Sequence, residues 1–285
     1  AVCDKNPARI EAAKKYVPEG TPTFDNFDDF IESGLFDAVV LCNYFNEHAD
    51  FAIRCLEKGL HVFSETMAAS TMADCVRLCR AVEKSGCVYM LAENYPFTRG
   101  CLEMKKLYKG GTLGRAIFSE GEYVHPMSPT ENEKYTNPET NGQYHWRRYI
   151  PCTYYSSHAL APIMYITETM PKYVIGMASP DTKDQIEKFK KLRTDACGIM
   201  MLQMSDGSIV RVNGSSIMAP KGNWYRVSGT FGGVETVRGA ESNVRLTYNS
   251  WAMPEGAEPS KTYEAGWKNA SEGEKAAKCG HSGSD

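Results

Sequence analysis

Among the side chains of types that move protons, four stand out in this sequence: Glu93, Tyr123, Tyr155 and His158. His158 closes the run Tyr155-Ser156-Ser157-His158, at the start of an expected helix. A neutral imidazole there can accept a proton. An isolated histidine at such a place serves equally as a cap or a core residue, and the tyrosine three residues earlier favours the chemical role. Glu93, beside Asn94 at an expected strand end, suits a base, a group that orients one, or a structural hydrogen-bond acceptor. Tyr123 and Tyr155 can donate to or protonate a substrate oxygen, although a strand tyrosine often only packs. The chemistry this set can perform is general acid–base catalysis on a small polar molecule. His61 and Arg148 read as structural and surface residues.

Positioning these groups takes two kinds of element. Ala1-Val2-Cys3-Asp4 reads as the end of a buried parallel strand, followed by a helix over about residues 7–16. Residues 36–42 form a second strand, a continuous apolar run of the kind buried on both faces. A helix over about 47–58 closes at Gly59, where a left-handed residue is favoured. Residues 61–65 are a third strand, 72–85 a helix and 87–93 a fourth strand. Strands alternating with helices predict a doubly wound parallel sheet. Ligands bind beyond the carboxyl ends of such strands, which here carry Asp4, Asn43, Glu65 and Glu93-Asn94.

After Phe97 the pattern changes. A helix is expected to about Lys109, and Arg115 to His125 then alternates with period two. Ile117, Ser119, Gly121, Tyr123 and His125 share one face; Ala116, Phe118, Glu120, Glu122 and Val124 share the other. Asp206-Gly207 and Gly232-Gly233 mark two hairpins. Residues 127–144 read as a long polar loop over a site or an interface. The expectation is α/β: a Rossmann-type parallel sheet over 1–96, and an α+β domain with an open mixed or antiparallel sheet over 97–285.

Composition narrows the function class. A net charge of -3 without a basic run argues against nucleic acid, and no apolar stretch is long enough to span a membrane. The ten cysteines show no CxxC pair or metal-type spacing, so no metal centre is expected. Cys42, Cys55 and Cys75 lie in apolar segments and read as small core residues, which suits a reducing, cytoplasmic compartment. The first residue is not methionine, so an export signal further upstream is left open.

The stretch from Phe36 to Phe97 resembles the nucleotide-binding half of the Gfo/Idh/MocA oxidoreductase family. Glu65-Thr66-Met67 stands where that family carries Glu-Lys-Pro, with Thr66 at the catalytic lysine position. Threonine is no proton acceptor near neutral pH, so ordinary sugar-alcohol dehydrogenation lacks its usual base. Within the superfamily the chain is most similar to the branch around glycoside hydrolase family 109. The similarity runs through Leu91-Ala92-Glu93-Asn94, Tyr123-Val124-His125, His145-Trp146-Arg147 and Tyr155-Ser156-Ser157-His158. It continues in Ala159-Leu160-Ala161-Pro162, which resembles a Gly-Leu-Gly-Pro helix start, and in the late segment from Gly280 through His281 to Asp285.

This resemblance implies NAD as cofactor and a carbohydrate or glycoside as substrate. It implies that Asp4 meets the adenosine ribose, and that Asn43, Phe45, Asn46, His48, Glu65, Thr66 and Asn94 line the cofactor. Tyr123, Arg147, Tyr155 and His158 would hold the sugar. A homo-oligomer is expected by analogy. No glycine-rich phosphate turn precedes Asp4, so the Rossmann sheet is expected to be truncated and NAD binding by these residues alone to be weak. Three functions stay open: an NAD-dependent glycosidase or lyase acting through transient C3 oxidation, an NAD-dependent sugar or polyol dehydrogenase using His158 as base, and a non-catalytic sugar-binding homologue.

Overall fold

The structure, a computed structural model, describes residues 1–126, 150–181, 183, 195–216 and 220–266. Arg147, His145, the expected loop over 127–144, and the late segment with His281 and Asp285 lie outside the described residues. Two compact units emerge, residues 1–92 and the described residues from Glu93 onward.

In the first unit, β1 (Val2–Cys3) pairs in parallel with β2 (Thr23–Phe24). The sequence reading contains neither β2 nor the helix α2 (Phe27–Glu32) that follows it. Helix α1 (Pro7–Ala13) starts at Asn6, whose side chain accepts from the Ala8 N–H. A separate parallel sheet has the order β3 (Ala38–Leu41), β4 (His61–Ser64), β5 (Tyr89–Leu91). Helices α3 (His48–Glu57) and α4 (Met72–Ser85) pack together, and α3 lies on β3 and β4. The apolar spacing of α3 explains its buried side, which carries Ala49, Ala52, Cys55 and Leu56. Gly59 follows α3 with φ +77°, the left-handed turn its sequence demanded.

The strands of this sheet are not buried on both faces. Val39, Leu41 and Val62 are buried, whereas Val40 is 65% exposed, Phe63 40% and Met90 47%. These last three are neighbours in register across the sheet. The continuous apolar run therefore folds as an alternating strand, because packing covers one side alone among the described residues.

In the second unit, α5 (Arg99–Lys109) precedes β6 (Ala116–Val124), and a 3-10 turn (Cys152–Tyr155) leads into α6 (Ser156–Thr167). The remaining strands are β7 (Pro171–Pro180), β8 (Asp195–Met204), β9 (Ile209–Ser215), β10 (Gly222–Gly229), β11 (Gly232–Val237), β12 (Ala240–Tyr248) and β13 (Ser260–Glu264). They form one eight-stranded sheet in the order β13-β12-β11-β10-β6-β9-β8-β7, parallel at β6–β9 and antiparallel elsewhere. Gly207, with φ +86°, turns the β8–β9 hairpin that Asp206-Gly207 announces.

Helix α6 lies directly on β6, where a Cβ at Gly121 would fall on the carbonyl oxygen of Ala159. Only glycine permits that approach. Ser119, Gly121 and Tyr123 face the helix as the alternation requires. Ala116 departs from it: fully buried in the core while Ile117 is 43% exposed, it sits at an irregularity where β10 shifts register between Ser228 and Gly229. Pro162 lies inside α6 rather than at its start.

Candidate functional site

The second unit builds its polar centre at the first turn of α6. Leu91 ends β5, and the chain continues through Glu93 and Asn94 into a 3-10 turn, Tyr95–Phe97. His158, the third residue of α6, places Nδ1 2.7 Å from Glu93 Oε1. Both residues are buried, at 8% and 7% exposure. An ionised carboxylate only accepts, so this pairing assigns the proton of a neutral ring to Nδ1 and leaves Nε2 as the acceptor. Glu93 Oε2 is buried without a hydrogen-bond partner among the described residues. The partner that orients His158 is thus a carboxylate 65 residues away, not the helix terminus alone.

Aromatic rings enclose the imidazole. Ring centroids of Tyr95 and Tyr123 each lie 4.7 Å from that of His158, and Tyr155 lies at 5.5 Å. Tyr123 stacks on Tyr155 at 5.5 Å and meets Tyr95 edge-on at 5.6 Å. Glu93, Tyr123, Tyr155 and His158, the four catalytic candidates of the sequence, therefore stand together. Two further side chains join them. Tyr95 was hidden in a Tyr-Pro turn, and His125 stood in plain view on the Tyr123 face, its Nδ1 3.2 Å from the Tyr123 hydroxyl.

A third addition, Tyr225 on β10, donates from its hydroxyl to the His158 carbonyl oxygen at 2.8 Å. That carbonyl would ordinarily accept from the N–H four residues on, which is Pro162 and has none. Pro162 is the signal that marks the unfilled carbonyl; nothing in the sequence points to Tyr225 as the donor.

In the first unit the expected cofactor residues gather at strand ends. Asp4 follows β1, and its Oδ1 accepts from the Asn6 N–H at 2.8 Å. Asn43 follows β3; its amide approaches Glu47 at 3.4 Å, and its Oδ1 is buried without a partner among the described residues. Glu65 is exposed at the end of β4, and its Oε2 accepts from the Thr66 N–H at 3.2 Å. The Thr66–Met67 peptide is cis. His48 is 1% exposed, with Nδ1 2.7 Å from the Met67 carbonyl and Nε2 3.1 Å from that of Asn43. Both its nitrogens face protein, so it ties the β3 and β4 ends together rather than offering itself to a ligand. Phe45 is buried and Asn46 exposed, while Asn94 belongs with the second unit.

These residues fit a dinucleotide. The Asp4 carboxylate suits ribose hydroxyls, and the unpartnered Asn43 oxygen offers a buried acceptor. Among the described residues no group of three or more His, Cys, Asp or Glu could hold a metal ion, and no helix is long and apolar enough to cross a membrane.

Residues 1–93 match the family model described as oxidoreductase family, NAD-binding Rossmann fold (GFO_IDH_MocA). Over 57% of the chain, it is 28% identical to a protein of Phocaeicola vulgatus named glycosyl hydrolase family 109 protein 2, covering 42% of that protein. Over 58% it is 25% identical to an alpha-N-acetylgalactosaminidase of Bacteroides fragilis, covering 41%. The chain thus spans about two-fifths of the length of these curated relatives. Among solved structures, a levoglucosan dehydrogenase in complex with NADH and levoglucosan superposes with a TM-score of 0.74 at 19% identity, over 93% of this chain and 70% of that one. An Agrobacterium radiobacter oxidoreductase in complex with NAD+, L-tartaric acid and magnesium gives 0.72 at 13%, over 93% and 72%.

Proposed function

We propose that the protein, whose residues 1–93 match the model of the NAD-binding Rossmann fold of the Gfo/Idh/MocA oxidoreductases, is an NAD-dependent glycosidase acting through transient oxidation at sugar C3. The observation that carries this reading is the buried Glu93–His158 pair, in a chain whose Glu65-Thr66-Met67 offers no lysine. The relatives named glycosyl hydrolase and alpha-N-acetylgalactosaminidase support it.

Asp4, Asn43, Glu65 and Thr66 of the first unit would hold NAD. When bound, NAD would supply a reversible hydride acceptor for sugar C3, and a ketone there would acidify the C2 proton. His158 Nε2 takes the proton of the C3 hydroxyl, its other nitrogen held by Glu93. Tyr123 takes the proton from C2, and Tyr155 donates to a sugar oxygen. Arg147, in the His145-Trp146-Arg147 segment, would hold a further oxygen. Groups that transfer protons work by being fixed before the substrate arrives, which the ring cluster provides for Tyr123, Tyr155 and His158.

A second reading, an NAD-dependent sugar dehydrogenase with His158 as the base, is favoured by the likeness to levoglucosan dehydrogenase. The two separate in one assay. Nitrophenyl glycosides, beginning with the α-N-acetylgalactosaminide, are incubated with the full chain and NAD. Nitrophenol released without accumulation of NADH supports the glycosidase. NADH formed in proportion to a free sugar, with no nitrophenol, supports the dehydrogenase.

A further inference from the structure

The Tyr123 ring is held from several sides, by Tyr95 edge-on, by Tyr155 face-on and by the His158 imidazole. At 8% exposure, its phenol has little room to swing. Its hydroxyl nonetheless has a specific partner, since His125 Nδ1 stands 3.2 Å away with the two rings nearly parallel at 22°. His125 is fixed in turn, because its N–H donates to the Ser215 carbonyl at 2.9 Å and extends the β6–β9 ladder by one residue. Residues two apart on a strand share a face, so the backbone itself delivers the ring to the phenol.

A phenol is a poor base while it keeps its own proton. Resting on the glycosidase reading above, we propose that His125 is a positioning residue that receives the hydroxyl proton of Tyr123 and so allows its oxygen to act at sugar C2. As the C2–H bond breaks, its electron pair becomes the C1–C2 double bond and the C1–O bond breaks. The leaving aryl oxide departs with the C1–O pair. The C2 proton passes to the Tyr123 oxygen, the hydroxyl proton of Tyr123 passes to His125 Nδ1, and solvent later removes it. Nothing is oxidised or reduced in this step. His158 and Glu93 form a separate pair, so the site has two relays, carboxylate–imidazole and phenol–imidazole.

The test uses the full chain with Cζ-13C tyrosine, the Tyr123 signal being assigned by its loss in Tyr123→Phe. His125→Phe keeps a flat ring and removes the nitrogen; His125→Asn keeps a polar partner that does not take up a proton. The expected result is a displaced Tyr123 Cζ signal in His125→Phe, at unchanged melting temperature. With nitrophenyl glycoside and NAD in heavy water, both variants should lose exchange at C2 by about 10²-fold, the scale of a lost acid–base relay. Formation of NADH in the first turnover should stay within about threefold of wild type by the same reasoning. The double variant with Tyr123→Phe should be no slower than Tyr123→Phe alone. An unmoved Cζ signal in His125→Phe, or wild-type C2 exchange in His125→Asn, overturns the proposal. Wild-type protein that releases no nitrophenol overturns the glycosidase reading instead, and the carbon signal still decides the His125–Tyr123 pairing. If His125→Phe fails to fold, His125→Asn carries the exchange arm.

Discussion

The hydroxyl of Tyr225 donates to the backbone carbonyl of His158 at 2.8 Å, supplying the hydrogen bond that Pro162 removes from α6. A proline inside a helix leaves the carbonyl four residues earlier without its partner. Here that carbonyl belongs to the residue whose side chain faces Glu93. The carbonyl that Pro162 leaves unfilled and the imidazole that faces Glu93 thus belong to one residue, and β10 supplies the donor for that carbonyl.

Replacing Tyr225 with phenylalanine tests this coupling. A buried carbonyl left unfilled costs about 1–3 kcal/mol, so Tyr225→Phe should lower unfolding free energy by that amount in urea titration. The same variant should slow turnover, because the first turn of α6 loses its anchor. Unchanged stability would show that the helix end holds without β10.

Gly121→Ala probes the contact below His158. The added methyl meets the Ala159 carbonyl, a backbone atom that cannot rotate away. Overpacking of this sort costs about 1–3 kcal/mol, and α6 must lift to relieve it. Turnover should fall more than stability alone explains, as measured at a temperature where both proteins are fully folded. A variant equal to wild type in rate and melting would mean that the helix position is not critical.

Much of this was legible in the sequence, and the reasons for the rest are physical. Alternation along β6 put Gly121, Tyr123 and His125 on one face, and Gly59 and Gly207 marked turns by their backbone freedom alone. The strand β2 was invisible because two residues carry no period. Val40 looked buried because an apolar run reads the same whether one face is covered or two. The pairing of Glu93 with His158 joins residues far apart in sequence, and no local pattern encodes a contact that only the packing of α6 creates.

Glu93→Gln separates orientation from charge. The amide keeps the size of the side chain but changes what it offers to Nδ1, so the wrong tautomer becomes accessible. Loss of such a carboxylate behind an imidazole lowers turnover by about 10⁴, with geometry intact. His158→Ala should cost about 10²–10⁴ by removing the base itself. Thr66→Lys should not raise turnover, since the base in this account is His158, oriented by Glu93, and not the residue after Glu65. A Thr66→Lys variant faster than wild type would favour the dehydrogenase reading.

Cys55 gives a pH-dependent prediction for the first unit. It is fully buried between α3 and the sheet, and burial pushes its thiol from 9.0 up to about 11. The folded protein thus holds a proton that the unfolded chain releases near 9. The stability this contributes is complete below about pH 9 and disappears as pH rises through about 11. Wild type should lose stability over that window more steeply than Cys55→Ala, as followed by urea titration at several pH values. Parallel curves would remove Cys55 as a source of the alkaline loss.

The central claim is that glycoside cleavage passes through a C3 ketone and loss of the C2 proton. The direct measurement is cleavage of a nitrophenyl glycoside by the full chain with catalytic NAD in heavy water, with the released sugar examined by NMR. The account predicts deuterium at C2 of the product, hydrogen retained at C3, and no accumulation of NADH. Cleavage that leaves C2 free of deuterium would contradict it.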